Sequence, residues 1–329
     1  MHILQVSSAL ELGGGETHVL ELTDALRQLG HTVVVAGRPG GAARPQVEFP
    51  FRNALDIHTA LGLRALLKRE RFDVVHAHVA RDYPLVASAA LRLPVKVVLT
   101  RHLLYPVKSH FLYRRVDGWI APTRQILKTL EPLRPRSSAV IPNWVDAEKF
   151  AFKPHASHKP LTLGLLGQIS PHKGHDDTIE ALRILGPDYR LLIAGKAGKG
   201  QNEYVAQLKE RATGLPVSFP GFVSLPEFFE TIDVLLVPSW EEPFGIVVLE
   251  GMAGGIPVIA TSAGGPPELI LSGVEGVLVP PRNPGALAEA IPLINAQRES
   301  IVHAARKRVE AEFDIRKVIP KIEAFYRAL

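Results

Sequence analysis

The 329-residue sequence predicts an α/β fold of two Rossmann-like domains, and three observations predict it. The length exceeds what one hydrophobic core of ~150 residues comfortably serves, so two compact units are expected. Short apolar runs alternate with amphipathic stretches along most of the chain, which is the pattern of parallel sheets covered on both faces. The opening stretch, residues 3–37, passes from an apolar run through a Gly-rich turn and a helical stretch to a second apolar run, which makes one βαβ unit.

Within that unit the turn is Gly13-Gly14-Gly15, the helical period continues to Leu29, Gly30 is a helix stop, and residues 32–36 form the second strand. Apolar runs at 74–75, 95–100, 118–121 and 139–141 supply further strands. Residues 152–160, rich in Lys, His and Pro and without apolar periodicity, read as a linker, so the domains are expected at 1–152 and 153–329. A second series of strands follows at 161–167, 189–195, 217–219, 233–238, 257–261 and 276–280. The stretch 287–329 has a helical period that Pro292 and Pro320 are expected to interrupt.

Composition narrows the function classes. Apolar residues make up 46% and charged residues 22%, with 27 Gly and 27 Pro scattered along the chain, so disorder and fibrous repeats are excluded. The absence of cysteine excludes disulfides, thiolate zinc sites, iron–sulfur clusters and a Cys nucleophile, and permits a reducing cytoplasm. The longest apolar candidate, 244–261, is broken by Glu250, Pro257 and four glycines, so no membrane span is expected. Met1-His2-Ile3 lacks a basic n-region and reads as a first strand, not a signal peptide.

The net charge of +5 is uneven: residues 1–150 hold 20 Lys/Arg against 13 Asp/Glu, and residues 151–329 hold 18 against 20. An anionic partner for the first half is therefore expected. Nucleic acid is set aside, because the basic residues are scattered over helices and form no reading motif.

The sharpest local signal runs from Asp233 to Glu250. A buried strand ends at Pro238, a polar loop carries Glu242, and a helix starts near Gly245. The amides of Phe244, Gly245 and Ile246 thus lie at a helix N-terminus, which attracts anions. Glu250 lies within that helix among Val247, Val248, Leu249, Gly251 and Met252, where a carboxylate needs a partner. The competing reading is a solvated Glu242 and a surface-paired Glu250. Lys173 precedes Gly174 and a helical stretch, where it serves either as a phosphate contact or as a solvated loop lysine.

Other features have weaker alternatives. The turn at Gly13-Gly14-Gly15 lacks the Gly-x-Gly-x-x-Gly spacing, and the second strand ends at Ala36-Gly37-Arg38 with no acid for a ribose, which disfavours a nicotinamide dehydrogenase. His76 and His78 share one face of an extended segment, yet no third ligand is expected near them and the chain has no Asp-x-Asp, so no metal is expected. Tyr105, Lys108, His110, Phe111, Tyr113, Arg114 and Arg115 mix basic and aromatic residues, with Arg64, Lys68, Arg69 and Arg71 on a neighbouring stretch. Both groups suit either an anionic acceptor or membrane surface, or a half-buried helix with snorkelling arginines.

Taken in order, the motifs resemble those of the retaining glycosyltransferases of family 4. Glu242 and Glu250 match that family's pair of glutamates separated by seven residues. Gly14-Gly15-Glu16, Gly30-His31-Thr32-Val33, residues 73–78, Thr100-x-His102, Val140-Ile141-Pro142-Asn143 with Asp146 and Phe150, Lys173-Gly174, Gly264-Gly265-Pro266-Pro267-Glu268 and residues 276–280 fall in family order. The resemblance implies the GT-B fold, two Rossmann-like domains facing a central cleft, with acceptor bound by the first and a nucleotide-diphosphate sugar by the second. It implies that Glu242 contacts the donor sugar, Glu250 the ribose and Lys173 the diphosphate. It also implies that His102 reaches the donor sugar and that Gly14 and Gly15 lie near donor phosphate and acceptor. Where the family usually has Arg five residues before the lysine, this chain has Gln168. The expected partners are a nucleotide sugar as donor substrate and a carbohydrate or glycolipid acceptor, with no cofactor or metal. A cytoplasmic location with peripheral contact to an anionic membrane is also expected. A GT-B sugar-nucleotide epimerase and a noncatalytic nucleotide-sugar binder remain as alternatives.

Overall fold

The computed structural model describes residues 1–10 and 14–329, with only the backbone described at 14–16. The chain forms two compact units, Met1–Trp144 with Ile315–Leu329, and Val145–Asp314. The first contains β1 (His2–Ser7), α1 (Gly14–Gln28), β2 (Thr32–Gly37), β3 (Val47–Glu48), α2 (Ile57–Glu70), β4 (Val74–Ala77), α3 (Tyr83–Ala89), β5 (Lys96–Thr100), β6 (Gly118–Ala121), α4 (Arg124–Lys128) and β7 (Ser138–Val140). The second contains β8 (Leu161–Leu166), α5 (His175–Leu185), β9 (Tyr189–Ala194), α6 (Asn202–Arg211), β10 (Val217–Gly221), α7 (Leu225–Thr231), β11 (Val234–Val237), α8 (Ile246–Gly254), β12 (Val258–Thr261), α9 (Pro266–Leu269), β13 (Val277–Val279), α10 (Pro284–Ala296) and α11 (Arg298–Arg308). The last helix, α12 (Ile315–Ala328), belongs to the first unit.

Each unit has one sheet, in the order β3-β2-β1-β4-β5-β6-β7 and β10-β9-β8-β11-β12-β13, and the strand pairs are parallel. β-branched residues dominate the central strands, as in Val33-Val34-Val35 and Val97-Val98, because they pack on a pleated surface covered from both sides. Local signals start several helices: Asp56 accepts from Thr59 N–H at α2, Thr123 from Ile126 N–H at α4, and Asn283 from Ala286 N–H at α10. In each sheet the strand order reverses beside the first strand of its unit, between β1 and β4 and between β8 and β11. Open α/β sheets bind ligands outside the carboxyl ends of the strands at such a switch point.

Three sequence expectations are corrected. The chain crosses between the units at Trp144–Val145, not at 152/153. The supposed linker 152–160 packs on the second unit: Asp233 accepts from His158 N–H, and Arg298 donates to the His155 carbonyl. Its polar composition satisfies buried groups there and does not signal a free connector.

The second correction concerns the C-terminal helices. A second crossing at Asp314–Ile315 returns α12 to the first unit, where Val318, Ile319, Ile322 and Tyr326 join Ile3, Leu22, Leu26 and Trp144 in one apolar cluster. The third is that Pro292 and Pro320 lie inside α10 and α12 and do not end them. Burial of Ile291, Ile294, Ile319 and Ile322 on either side holds the helices through the lost hydrogen bonds. The breaks fall instead at Gln297 and in the π turn Val309–Phe313. The two-residue edge strand β3 had no periodicity to betray it.

Candidate active site

In the second unit, the loops leaving β8 and β11 flank the switch point and carry Lys173 and Glu242. After β8 the chain makes a 3-10 turn, Pro171–Lys173, and enters α5 through Gly174 at φ +72°. A Cβ at Gly174 would lie 2.1 Å from the Pro238 carbonyl oxygen, so glycine is required both for the backbone angle and for the close approach of the two loops. That approach places Lys173 Nζ 2.6 Å from Glu242 Oε2.

Glu242 is 9% exposed, which rules out the solvated-loop reading. Its carboxylate accepts from Lys173 and, at 3.2 Å, from the Ser239 hydroxyl. Its backbone is held by a parallel bridge to Gly264, and its carbonyl accepts from Gly265 N–H at 2.7 Å. At Gly264, φ is +83° and a Cβ would lie 2.0 Å from the Glu242 carbonyl oxygen, so only glycine lets the loop after β12 support this one.

Gly245 at φ +98° turns the loop into α8 and supplies no side-chain cap to its first amides. Phe244 is buried below this turn, whereas Ile246 is half-buried. Glu250, one turn into α8, is half-buried and engaged within the protein, which is less enclosed than its apolar neighbours suggested. Lys173, Glu242, Phe244, Gly245, Ile246 and Glu250 are thus all placed on two adjacent loops and the helix that one of them starts.

Supporting residues that sequence reasoning passed over surround this group. Trp240 donates its backbone N–H to the His172 carbonyl and its indole N–H to Asp177, tying the β11 loop to the β8 loop and α5. The Arg282 guanidinium stacks on the Trp240 ring at 4.1 Å. His175 is buried, and desolvation pulls its pKa down to about 4. Gln168 is exposed, its side chain beside Gly198. Of these residues only Gln168 was singled out in the sequence, as the position where the resembled family usually has Arg.

The first unit has its own polar cluster at the carboxyl ends of β1, β4 and β5. Gly13 lies outside the described residues. Gly14 and Gly15 open α1, and their surroundings are likewise outside the described residues. His102 follows β5 with its Nε2 buried, and His78 and His18 complete a group of three imidazoles. Burial pulls the His102 pKa down to about 4, with the Arg101 charge adding to the effect. The expectation that His78 has no third potential ligand nearby is therefore corrected, because α1 brings in His18, sixty residues away in sequence. His76 does not join them. Its Nδ1 meets the Tyr326 hydroxyl and its Nε2 the Thr100 hydroxyl, both at 2.6 Å. Asp82, also unforeseen, accepts from Ser8 N–H at 2.8 Å, and burial raises its pKa to about 6.

The aromatic and basic stretch 103–115 divides into two roles. Tyr105 and Phe111 are 70% and 74% exposed, and Lys108 and Arg114 are exposed. Arg115, in contrast, pairs with Asp117 at 2.6 Å and donates to the carbonyls of Ala90, Leu93 and Val95. Arg64 donates to those of Ala89 and Leu91. These two arginines close backbone ends and are removed from the set available to a partner.

Comparison with known proteins places the chain in a family. Residues 12–149 match the model of Glycosyltransferase Family 4, and residues 146–308 that of Glycosyl transferases group 1. A glycogen synthase of Mycobacterium tuberculosis is 30% identical, with 100% of this chain and 95% of that protein covered. The lipopolysaccharide core biosynthesis mannosyltransferase LpsB of Rhizobium meliloti is 27% identical over 97% of this chain and 95% of its own. Among solved structures, Anabaena Alr3699/HepE in complex with UDP-glucose superposes with a TM-score of 0.85 at 22% identity, each chain covered in full. Two parallel α/β sheets of the GT-B kind and full-length similarity to sugar-transferring enzymes together show that this chain is a glycosyltransferase of the family 4 type.

Proposed function

We propose that the enzyme moves a sugar from a nucleotide-diphosphate sugar to a carbohydrate or glycolipid acceptor with retention of anomeric configuration. The observation that carries this reading is the meeting of Lys173 and Glu242 at the uncapped start of α8. A cation and a helix N-terminus suit a diphosphate, and carboxylates suit sugar and ribose hydroxyls. Solved relatives support the donor class, since HepE binds UDP and UDP-glucose.

In this reading Glu250 accepts from the ribose hydroxyls and Glu242 from the donor sugar. Lys173 and the amides of Phe244, Gly245 and Ile246 take the charge that develops on the leaving diphosphate, with no metal required. Lys173 then exchanges one anion, Glu242, for another. His102 keeps the sugar-contacting role that the resemblance assigns to it. Retention is proposed to follow a same-face substitution assisted by the leaving phosphate, since no carboxylate is assigned as a nucleophile. The reported relatives favour transfer over epimerisation and over noncatalytic binding. LpsB, named for lipopolysaccharide core biosynthesis, supports a glycolipid acceptor of that class.

The test is a calorimetric panel of sugar nucleotides, followed by the two glutamate variants. Glu250→Ala is expected to weaken donor binding by tenfold or more, about 1.4 kcal/mol. Glu242→Ala should chiefly lower turnover. Unchanged donor affinity in folded Glu250→Ala would reject the assignment.

A further inference from the structure

Three imidazoles converge in the first unit. His18 comes from α1, His78 from the end of β4 and His102 from the end of β5, and their ring nitrogens lie within 4.8 Å of one another. The His18 ring stands edge-on to those of His78 and His102, at centroid distances of 5.9 and 5.2 Å, and its face rests on Trp144 at 3.9 Å. One ring nitrogen of each can therefore reach a common point.

The hydrogen bonds single out which nitrogens are available. His78 Nε2 lies 2.7 Å from the Gln5 amide oxygen, which can only accept, so Nε2 carries the proton and Nδ1 carries the lone pair. That Nδ1 is buried without a hydrogen-bond partner among the described residues, and so is His102 Nε2. His76, with both nitrogens bonded, is excluded. A ligating histidine whose other nitrogen is oriented by an oxygen acceptor is the usual outer-shell arrangement of a metal site, and Gln5 supplies it.

We propose that His18, His78 and His102 bind one divalent transition-metal ion of the zinc class. The donor set is all imidazole, which suits Zn²⁺, Ni²⁺, Co²⁺ or Cu²⁺ and not the oxygen-seeking Mg²⁺ or Ca²⁺. Three protein nitrogens leave a fourth position open. A tetrahedral set at ~2.05 Å from zinc has nitrogens about 3.3 Å apart, a spacing compatible with ligand atoms that all lie within 4.8 Å of one another. The neighbouring Arg101 charge opposes any cation and restricts the site to ions with high imidazole affinity. The second group of this kind, His155, His158 and Asp233, is less suited, since Asp233 already accepts from two backbone amides and from His158 Nδ1.

One consequence rests on the functional reading above: an ion held by His102 withdraws it from the donor sugar, so zinc inhibits transfer. The experiment uses tag-free full-length protein in metal-free buffer. Co²⁺ titration followed by visible d–d absorption, and Zn²⁺ titration followed by calorimetry, should show one saturable site per chain. His78→Gln should abolish it. Gln5→Leu, which keeps all three ligands, should weaken it by about 10- to 100-fold. The double variant His155→Gln/His158→Gln should bind as the parent does, with circular dichroism and thermal melting establishing that each variant is folded. Absence of a saturable site in the parent protein would overturn the proposal. So would binding that survives in folded His78→Gln and disappears in the His155/His158 variant. If His78→Gln fails to fold, the Gln5→Leu affinity decides in the same way. Binding by the expected residues with no effect of zinc on turnover would uphold the site and reject the role of His102 on the donor.

Discussion

At the scale of single residues, the buried ionisable groups set an opposed pH dependence. His175 has its pKa lowered to about 4, so the unfolded chain gains a proton first as pH falls. Stability that is complete above pH ~6.5 is therefore lost progressively toward pH 4, by up to about 3 kcal/mol from this group. Asp82 acts in the other direction. Its pKa is raised from 3.8 to about 6 by burial, against the opposing effect of its hydrogen bond from Ser8, so its contribution is fully present below pH ~4 and is lost as pH rises through 6. Asp82→Asn keeps an oxygen for the Ser8 amide and removes the buried charge. We expect it to stabilise the protein at pH 7.5 by up to about 3 kcal/mol and to match the parent near pH 4. Urea unfolding at pH 4, 5.5 and 7.5 measures both limbs, and a variant less stable than the parent at pH 7.5 would contradict the assignment.

At the scale of elements, the N-terminus of α8 and Lys173 are proposed to take the charge of the leaving diphosphate with no metal. Transfer is therefore expected to survive EDTA, whereas Lys173→Ala should lower turnover by a hundredfold or more, about 2.7 kcal/mol. Loss of activity in EDTA with recovery on adding Mg²⁺ or Mn²⁺ would show that the charge is handled otherwise. The terminal helix offers a test free of chemistry. Ile322 is 2% exposed in the cluster that α12 shares with β1 and α1, so Ile322→Ala should cost about 2–5 kcal/mol in unfolding free energy. Tyr326→Phe leaves His76 Nδ1 without its partner and should cost about 1–3 kcal/mol. Donor affinity, measured by calorimetry on folded protein, should not change in either, because neither residue is among those assigned to the donor.

At the scale of the whole molecule, the return of α12 sharpens the charge asymmetry. The first unit carries 23 Lys/Arg against 12 Asp/Glu, and the second 15 against 21. An excess of this size steers anions over about 8 Å at physiological salt and weakens as salt rises. Lys108 and Arg114 are the exposed cations beside the exposed rings of Tyr105 and Phe111. Reversing both to Glu should raise the apparent KM for acceptor, or lower binding to acidic vesicles, most strongly at low salt. Arg115 is left intact, since replacing it would unfasten three carbonyls. Equal behaviour of variant and parent at every salt concentration would reduce these charges to a solubility role. No helix among the described residues is long and apolar enough to cross a membrane.

Two α/β units, most of the central strands, and Lys173, Glu242 and Glu250 as candidate site residues were legible in the amino-acid order. The signals for them are local, since hydrophobic period, glycine placement and a loop running into a helix lie within a few residues of one another. The meeting of Lys173 with Glu242 across 69 residues is itself tertiary. Tertiary structure alone decided that α12 serves the first unit, that 152–160 is packed, and that His18 joins His78 and His102. It also decided that Arg64 and Arg115 are structural. Each of these depends on groups brought together from distant positions, as when Tyr326 meets His76 across 250 residues. Hydrophobic periodicity names the face a helix buries, and the parallel sheet order, which is not written in any local window, decides what that face and its polar neighbours are buried against.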